Sequence, residues 1–200
     1  MSEIISLFPI NVLVEKINVD WNKDKVIEHI ENYLKKQCKT GEVGEDLHKQ
    51  EVFSPIVKFM NDSVNNYWKL LNYSNHFPIE MTSMWANRHD RHHDRPHDLD
   101  VDGPAIISAV FYVQKESSQM GNLYFGNPIE LIWQTQPLSE SRRHENRYFE
   151  FDGRTGDLIF FPSWLQHGIR QNKTDIPRYS IAANFELRGI KMIKQLSKKK

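Results

Sequence analysis

The chain has 200 residues, 39% of them hydrophobic, with Lys+Arg and Asp+Glu both totalling 26 and a formal net charge of zero. That length suits one core-building domain and is short for two; a neutral chain has no net field with which to gather nucleic acid or an anionic membrane, so neither is expected as a partner. The lone Cys38 forms no internal disulfide, no run of about eighteen apolar residues is present to span a bilayer, and MSEIISLFPINVLVEKI lacks a signal peptide's basic region, so a reducing cytoplasm is the expected compartment.

Taken along the chain, residues 7–16 alternate enough to predict a first strand, and Asp20 is a candidate cap for a helix whose apolar positions Val26, Ile27, Ile30 and Leu34 recur at helical spacing. A second helix is predicted from Ser54 to about Leu71. Ser54 suits its N-cap and Pro55 its first turn, and Val57, Met60, Val64, Trp68 and Leu71 make one core-facing stripe. From Pro78 the pattern turns to short β-like runs between polar turns: IEMTSMWAN, AIISAVFYV, NLYFG, ELIWQT, YFEF, DLIFF and RYSIAANFEL. With no helical pattern between them, these predict an antiparallel sandwich or jelly roll, braced on one face by the helices. The expected organisation is a single domain: helical support over 1–77, a β core over 78–190, and a basic tail over 191–200 that reads as a solvated terminus.

The chemistry concentrates in HDRHHDRPHDLDVDG, residues 89–103, with four histidines and five aspartates. His92-His93-Asp94 is its one strict His-x-Asp, and His167 follows far downstream, just after DLIFF. Two imidazoles and one carboxylate on one face of a metal form the triad that leaves open positions on non-haem Fe(II). Eleven residues after His167 comes Arg178, with Ser180 two further on, in a run whose Ile181, Ala183 and Phe185 look buried. A guanidinium fork inside a β sandwich, near a metal ligand, suits an anionic organic cosubstrate.

Together, MWAN, SAVFYV, GNLYFGNP, GDLIFFPSWLQH and PRYSIAANF resemble the small 2-oxoglutarate/Fe(II)-dependent oxygenases with prolyl-hydroxylase-like cores, over about residues 78–187. The resemblance implies a double-stranded β-helix, the cupin-like jelly roll. It also implies Fe(II), 2-oxoglutarate as cosubstrate and O2, with succinate and CO2 released and an aliphatic C–H hydroxylated. It assigns His167 to iron, Arg178 and Ser180 to the far carboxylate of 2-oxoglutarate, and Tyr112 to a further hydrogen bond there. For the remaining ligands two pairs stand: His92 and Asp94, which fit the His-x-Asp rule, and His97 with Asp100, which better fit the family's spacing from the tryptophan matched by Trp85. The first pair is preferred at this point, with His89 and His93 read as loop or supporting residues.

Trp85 and Asn87 are candidate pocket residues, and the polar stretch 137–148 holds Arg142 and Arg143, which could recognise an acidic substrate or else sit in a solvated loop. A small molecule or a peptidyl residue is the expected substrate. Two other readings remain: a cupin-like metal enzyme that does not use 2-oxoglutarate, and a non-enzymatic metal-binding interaction domain.

Overall fold

The computed structural model describes residues 9–37, 42–44, 46–73, 78–92, 105–129 and 147–188. Within them lie β1 (Leu13–Lys16), α1 (Lys23–Gln37), β2 (Glu42–Val43), α2 (Ser54–Leu70), β3 (Ile79–His89), β4 (Ile107–Gln114), β5 (Leu123–Gly126), β6 (Tyr148–Phe151), β7 (Asp157–Pro162), β8 (His167–Ile169) and β9 (Arg178–Leu187). The strand expected at ELIWQT lies outside the described residues. The other six runs expected after Pro78 are strands. β2 and β8, of two and three residues, were not anticipated because alternation cannot show in so few positions.

Both helices form where their apolar spacing predicts, but their starts differ from expectation. Asn22, not Asp20, caps α1: its Oδ1 accepts from the Lys25 N–H at 2.9 Å, satisfying a donor that the helix itself leaves open. At α2, Pro55 occupies the first turn, yet Ser54 is itself helical and makes no cap bond. A 3-10 turn over Glu51–Phe53 leads directly into the helix and removes the place for a cap. The buried face of α2 is Ile56, Phe59, Met60, Ser63, Val64, Tyr67 and Trp68, with Val57 and Leu71 of the expected stripe at its margin. None of the helices among the described residues is long and apolar enough to cross a membrane.

The strands make a six-stranded sheet, β1-β7-β4-β9-β3-β2, and a three-stranded sheet, β6-β5-β8, with antiparallel pairing throughout. Side chains alternate across a strand, so the large sheet has two different faces. Ala109, Phe111, Leu158, Phe160, Ile181, Ala183 and Phe185 pack against Val26, Ile30, Ile56, Met60 and Val64 of the helices. Val110, Tyr112, Ile159 and Phe161 point the other way and pack against Leu123, Phe125 and Leu165 of the small sheet and its approach. β4 is buried along nearly its whole length because both its faces are covered.

A bulge decides what β3 contributes. Its register against β9 shifts between Met81 and Ser83, so that Ile79 and Met81 before the bulge, and Met84 and Ala86 after it, all pack toward the helices. The extra residue reverses the alternation and turns Trp85, Asn87 and His89 to the inner face, the side of the small sheet.

Candidate active site

The inner face has two ends, fixed by register. In β9, Arg178 pairs with His89 of β3, Ser180 with Tyr112 of β4, and Asn184 with Ser108. Ser108 also pairs with Phe161, whose ring meets that of His167 edge-on at 4.7 Å. His167 therefore lies at the Ser108–Asn184 end and Arg178 at the other. Phe125, opposite His167, stands four residues from Gly121, whose carbonyl Arg178 reaches, so at most about 13 Å of chain separates the two.

His167 opens β8 opposite Phe125. Its Nδ1 lies 2.9 Å from the Leu165 carbonyl. A carbonyl only accepts, so Nδ1 carries the proton and Nε2 is the basic nitrogen, the tautomer suited to binding a metal through Nε2. Ser108 donates toward Asn184 Oδ1 at 2.8 Å and lies 3.0 Å from the Ser163 hydroxyl, a buried polar cluster at the same end.

Arg178 is 1% exposed. Its Nη1 donates to the Gly121 carbonyl at 2.8 Å, while Nε and Nη2 are buried without a hydrogen-bond partner. Burial pushes the guanidinium down to about 10, and Tyr112 opposes that shift, so it stays charged at neutral pH. Gly121 makes the close approach possible: its φ is +87°, and a Cβ there would fall 2.1 Å from the Arg170 carbonyl. A buried cation with no carboxylate bonded to it is costly, and its two unclaimed nitrogens, Nε and Nη2, match the two oxygens of an incoming carboxylate. Tyr112 and Ser180, both buried, sit side by side one row along. Burial raises the Tyr112 phenol to about 12, with the Arg178 charge and the Leu123 backbone opposing.

His92 closes the turn that follows β3. Its side chain is exposed, its φ is +63°, and its backbone N–H donates to the Asn172 carbonyl at 2.8 Å, in the loop that runs from β8 toward Arg178. His92 thus sits at the Arg178 end. Asp94, His97, Asp100, His93, Arg142 and Arg143 lie outside the described residues. Trp85 and Asn87 are half-buried on the inner face.

The sequence family described as 2OG-Fe(II) oxygenase matches residues 83–184, just over half of the chain. The chain belongs to the 2-oxoglutarate/Fe(II)-dependent oxygenases. That family depends on Fe(II) as its metal and uses 2-oxoglutarate and O2 as cosubstrates. No curated protein matches this oxygenase significantly, but solved structures share its fold. HygX from Streptomyces hygroscopicus, with nickel and 2-oxoglutarate bound, aligns at a TM-score of 0.60 and 14% identity, covering 90% of this chain and 84% of its own. The carbocyclase SnoK from nogalamycin biosynthesis aligns at 0.63 and 11%, covering 88% and 80%. The epimerase SnoN from the same biosynthesis aligns at 0.61 and 12%, covering 88% and 78%. At such identities the likeness is one of fold, and the fold is the jelly roll.

Two features of the oxygenase's interior were not legible in its sequence. Lys115 is fully buried and donates to Asp152 Oδ1 at 3.0 Å and to the Gly153 carbonyl at 2.8 Å, 5.6 Å from the centre of the Tyr112 ring. Asn172 is completely buried in a polar loop, and the N-x-T spacing of Asn172 and Thr174 was its one local sign of a side-chain-stabilised turn. A cavity of about 350 Å³ is lined by Ile10, Val12, Phe125, Tyr148, Phe149 and Leu165 among others; Phe125 is the ladder partner of His167.

Proposed function

We propose that this oxygenase hydroxylates an aliphatic C–H of a small-molecule substrate, binding 2-oxoglutarate between His167 and Arg178. The observation that carries this reading is Arg178: a buried guanidinium with two unclaimed nitrogens, on the face that the large sheet turns toward the small sheet of His167, and one row from Tyr112 and Ser180. That arrangement suits the far carboxylate of 2-oxoglutarate, and an apolar inner wall of Val110, Ile159 and Phe161 excludes water from the path between the two ends. Bound iron and 2-oxoglutarate supply O2 activation, one oxygen atom entering the substrate as hydroxyl and the other entering succinate as CO2 leaves.

His167 would hold the iron through Nε2. Of the two candidate pairs, the position of His92 favours His97 and Asp100. The His92 side chain is exposed at the Arg178 end, whereas His97 fits the family's spacing from the tryptophan matched by Trp85. Hydroxylation is favoured over epimerisation or ring closure because it asks for no further protein group, whereas inverting a carbon needs a hydrogen donor on its opposite side. The cavity beside Phe125 and Leu165 suits an apolar portion of the substrate.

Incubation of the protein with Fe(II), 2-oxoglutarate, isotopically heavy O2 and a cell extract should release succinate and place one heavy oxygen atom in a product. Succinate release with an unlabelled, isomerised or cyclised product would overturn hydroxylation alone. No 2-oxoglutarate consumption under any condition would overturn the whole reading. His97→Ala should abolish iron retention and His92→Ala should not; the reverse result restores His92 and Asp94 as the ligands.

A further inference from the structure

Two buried cations bear on Tyr112, and they are satisfied differently. The Arg178 charge acts on its phenol, and two nitrogens of that guanidinium have no hydrogen-bond partner. Lys115 lies against the ring, its Nζ 5.6 Å from the ring centre, and donates to Asp152 Oδ1 at 3.0 Å and to the Gly153 carbonyl at 2.8 Å. Lys115 therefore has its counter-charge in place although it is completely buried. An incoming carboxylate is drawn to Arg178, where buried positive charge is still uncompensated, and not to Lys115.

The backbone brings Lys115 to that ring. The register of β4 against β9 shifts between Tyr112 and Gln114, and the extra residue turns Lys115 to the face of Tyr112, where plain alternation would send it to the other. The turn 152–156, between β6 and β7, wraps both residues. The Thr155 N–H donates to the Lys115 carbonyl at 2.9 Å, the Thr155 hydroxyl accepts from the Lys115 N–H at 2.8 Å, and the Gly156 N–H donates to the Tyr112 carbonyl at 2.8 Å. Gly153 lies so close to the ring that a Cβ there would fall 2.4 Å from Tyr112 Cε2. Phe151 stacks on the same ring with centres 6.4 Å apart. The Leu123 backbone hydrogen-bonds the phenol oxygen in the sense that favours its charged form, that is, as a donor. A phenol that accepts there still has its own proton to give.

We propose that Lys115 is a positioning residue of the cosubstrate site: by clamping the turn 152–156 against the Tyr112 ring, it fixes the phenol so that its proton meets the carboxylate received by Arg178. This rests on the function proposed above, with 2-oxoglutarate at Arg178. Lys115 does not touch the cosubstrate. Its hydrogen bonds go to Asp152 and Gly153, and its effect reaches the carboxylate only through the Tyr112 hydroxyl. A hydrogen bond to a carboxylate depends on direction as well as distance, so a ring free to tilt gives up part of that bond without leaving its place in the core.

The test is a double-mutant cycle between Lys115 and the Tyr112 hydroxyl, read by anaerobic titration of the Fe(II)-loaded full-length protein with 2-oxoglutarate, beside melting temperatures. Tyr112→Phe removes a hydrogen bond to a charged group and should weaken 2-oxoglutarate binding about 10- to 100-fold. Lys115→Met fills the same space without the two bonds to the turn and should weaken it several-fold. In the Tyr112→Phe background, Lys115→Met should weaken it no further, because the hydroxyl through which Lys115 acts is gone. Asp152→Asn, changed at a half-exposed side chain, spares the fold should Lys115→Met not tolerate its buried position, and should show the same pattern to a smaller extent. Wild-type affinity in Lys115→Met and Asp152→Asn, or in Tyr112→Phe, would overturn the proposal. So would an equal loss of affinity with and without the Tyr112 hydroxyl, which would make Lys115 either a support of the fold alone or itself a contact of the cosubstrate. A wild-type protein that binds no 2-oxoglutarate would instead overturn the function on which the proposal rests, and the proposal with it.

Discussion

Arg178 shows how one side chain can be stable in place and still incomplete. Its strand position is secured by the β3 and β4 ladders on either side, and Nη1 is satisfied by Gly121, while two further donors are buried without acceptors. A carboxylate entering there gains charge-assisted bonds worth about 1.5–3 kcal/mol. Arg178→Met should therefore melt close to wild type without ligand yet bind 2-oxoglutarate about 10- to 100-fold more weakly, and lose the rise in melting temperature that 2-oxoglutarate gives the wild type. Titration calorimetry and thermal melts read both, and a variant with wild-type affinity would remove Arg178 from the cosubstrate site.

Among the elements, α1 does more than cover the large sheet. Glu31 projects from it to accept from Arg88 Nη1 at 2.9 and 3.0 Å and from the Tyr179 hydroxyl at 2.6 Å. Arg88 and Tyr179 are ladder partners, each next in sequence to a residue of the inner face, His89 and Arg178. Burial and the hydrogen bond to Glu31 raise the Tyr179 phenol well above its usual value, so it remains a donor at any working pH. Removing Glu31 leaves the buried Tyr179 hydroxyl and the half-buried Arg88 Nη1 without that acceptor, Arg88 keeping only Asp90. Glu31→Ala should cost about 1–3 kcal/mol, and a double-mutant cycle with Tyr179→Phe should be clearly non-additive in urea unfolding. Additivity would mean that the helix is held by its apolar face alone.

Across the whole molecule, the two sheets are joined by packing between their inner faces and, at one margin, by charge. Lys115 follows β4 of the large sheet and Asp152 follows β6 of the small one, and they meet at 3.0 Å with Lys115 fully buried. Asp152 also pairs with Arg154, whose hydrogen bond, ahead of that from Lys115, holds its carboxyl down at about 2. A carboxyl depressed in the folded state contributes stability that is fully present above its unfolded value of about 4 and is lost as pH falls through about 2. The melting temperature of the wild type should fall through that acid window, whereas Asp152→Asn should start lower at neutral pH and show a shallower acid decline. Parallel curves for the two proteins would show that this ion pair does not close the sandwich.

By itself the sequence determined what depends on neighbours along the chain. The spacing of Val26, Ile30 and Leu34 made α1, Pro55 and its apolar stripe made α2, and alternating runs such as DLIFF and RYSIAANFEL made strands, because amphipathic periodicity is local. The resemblance of PSWLQH and RYSIAANF was enough to single out the family. Only tertiary structure decided which face each strand residue takes. The bulge at Met81–Ser83 turns Trp85, Asn87 and His89 inward, and a one-residue shift of that kind leaves no mark on composition. Tertiary structure also tied His92 to the loop after β8. In HDRHHDRPHDLDVDG one histidine is chemically like another, and composition gives no sign of the positive φ of His92 or of its two backbone bonds to Gln171 and Asn172, some eighty residues away in sequence. Lys115 and Asp152, likewise, became partners only when two sheets closed on each other, because burial and pairing are properties of the folded volume and not of the chain.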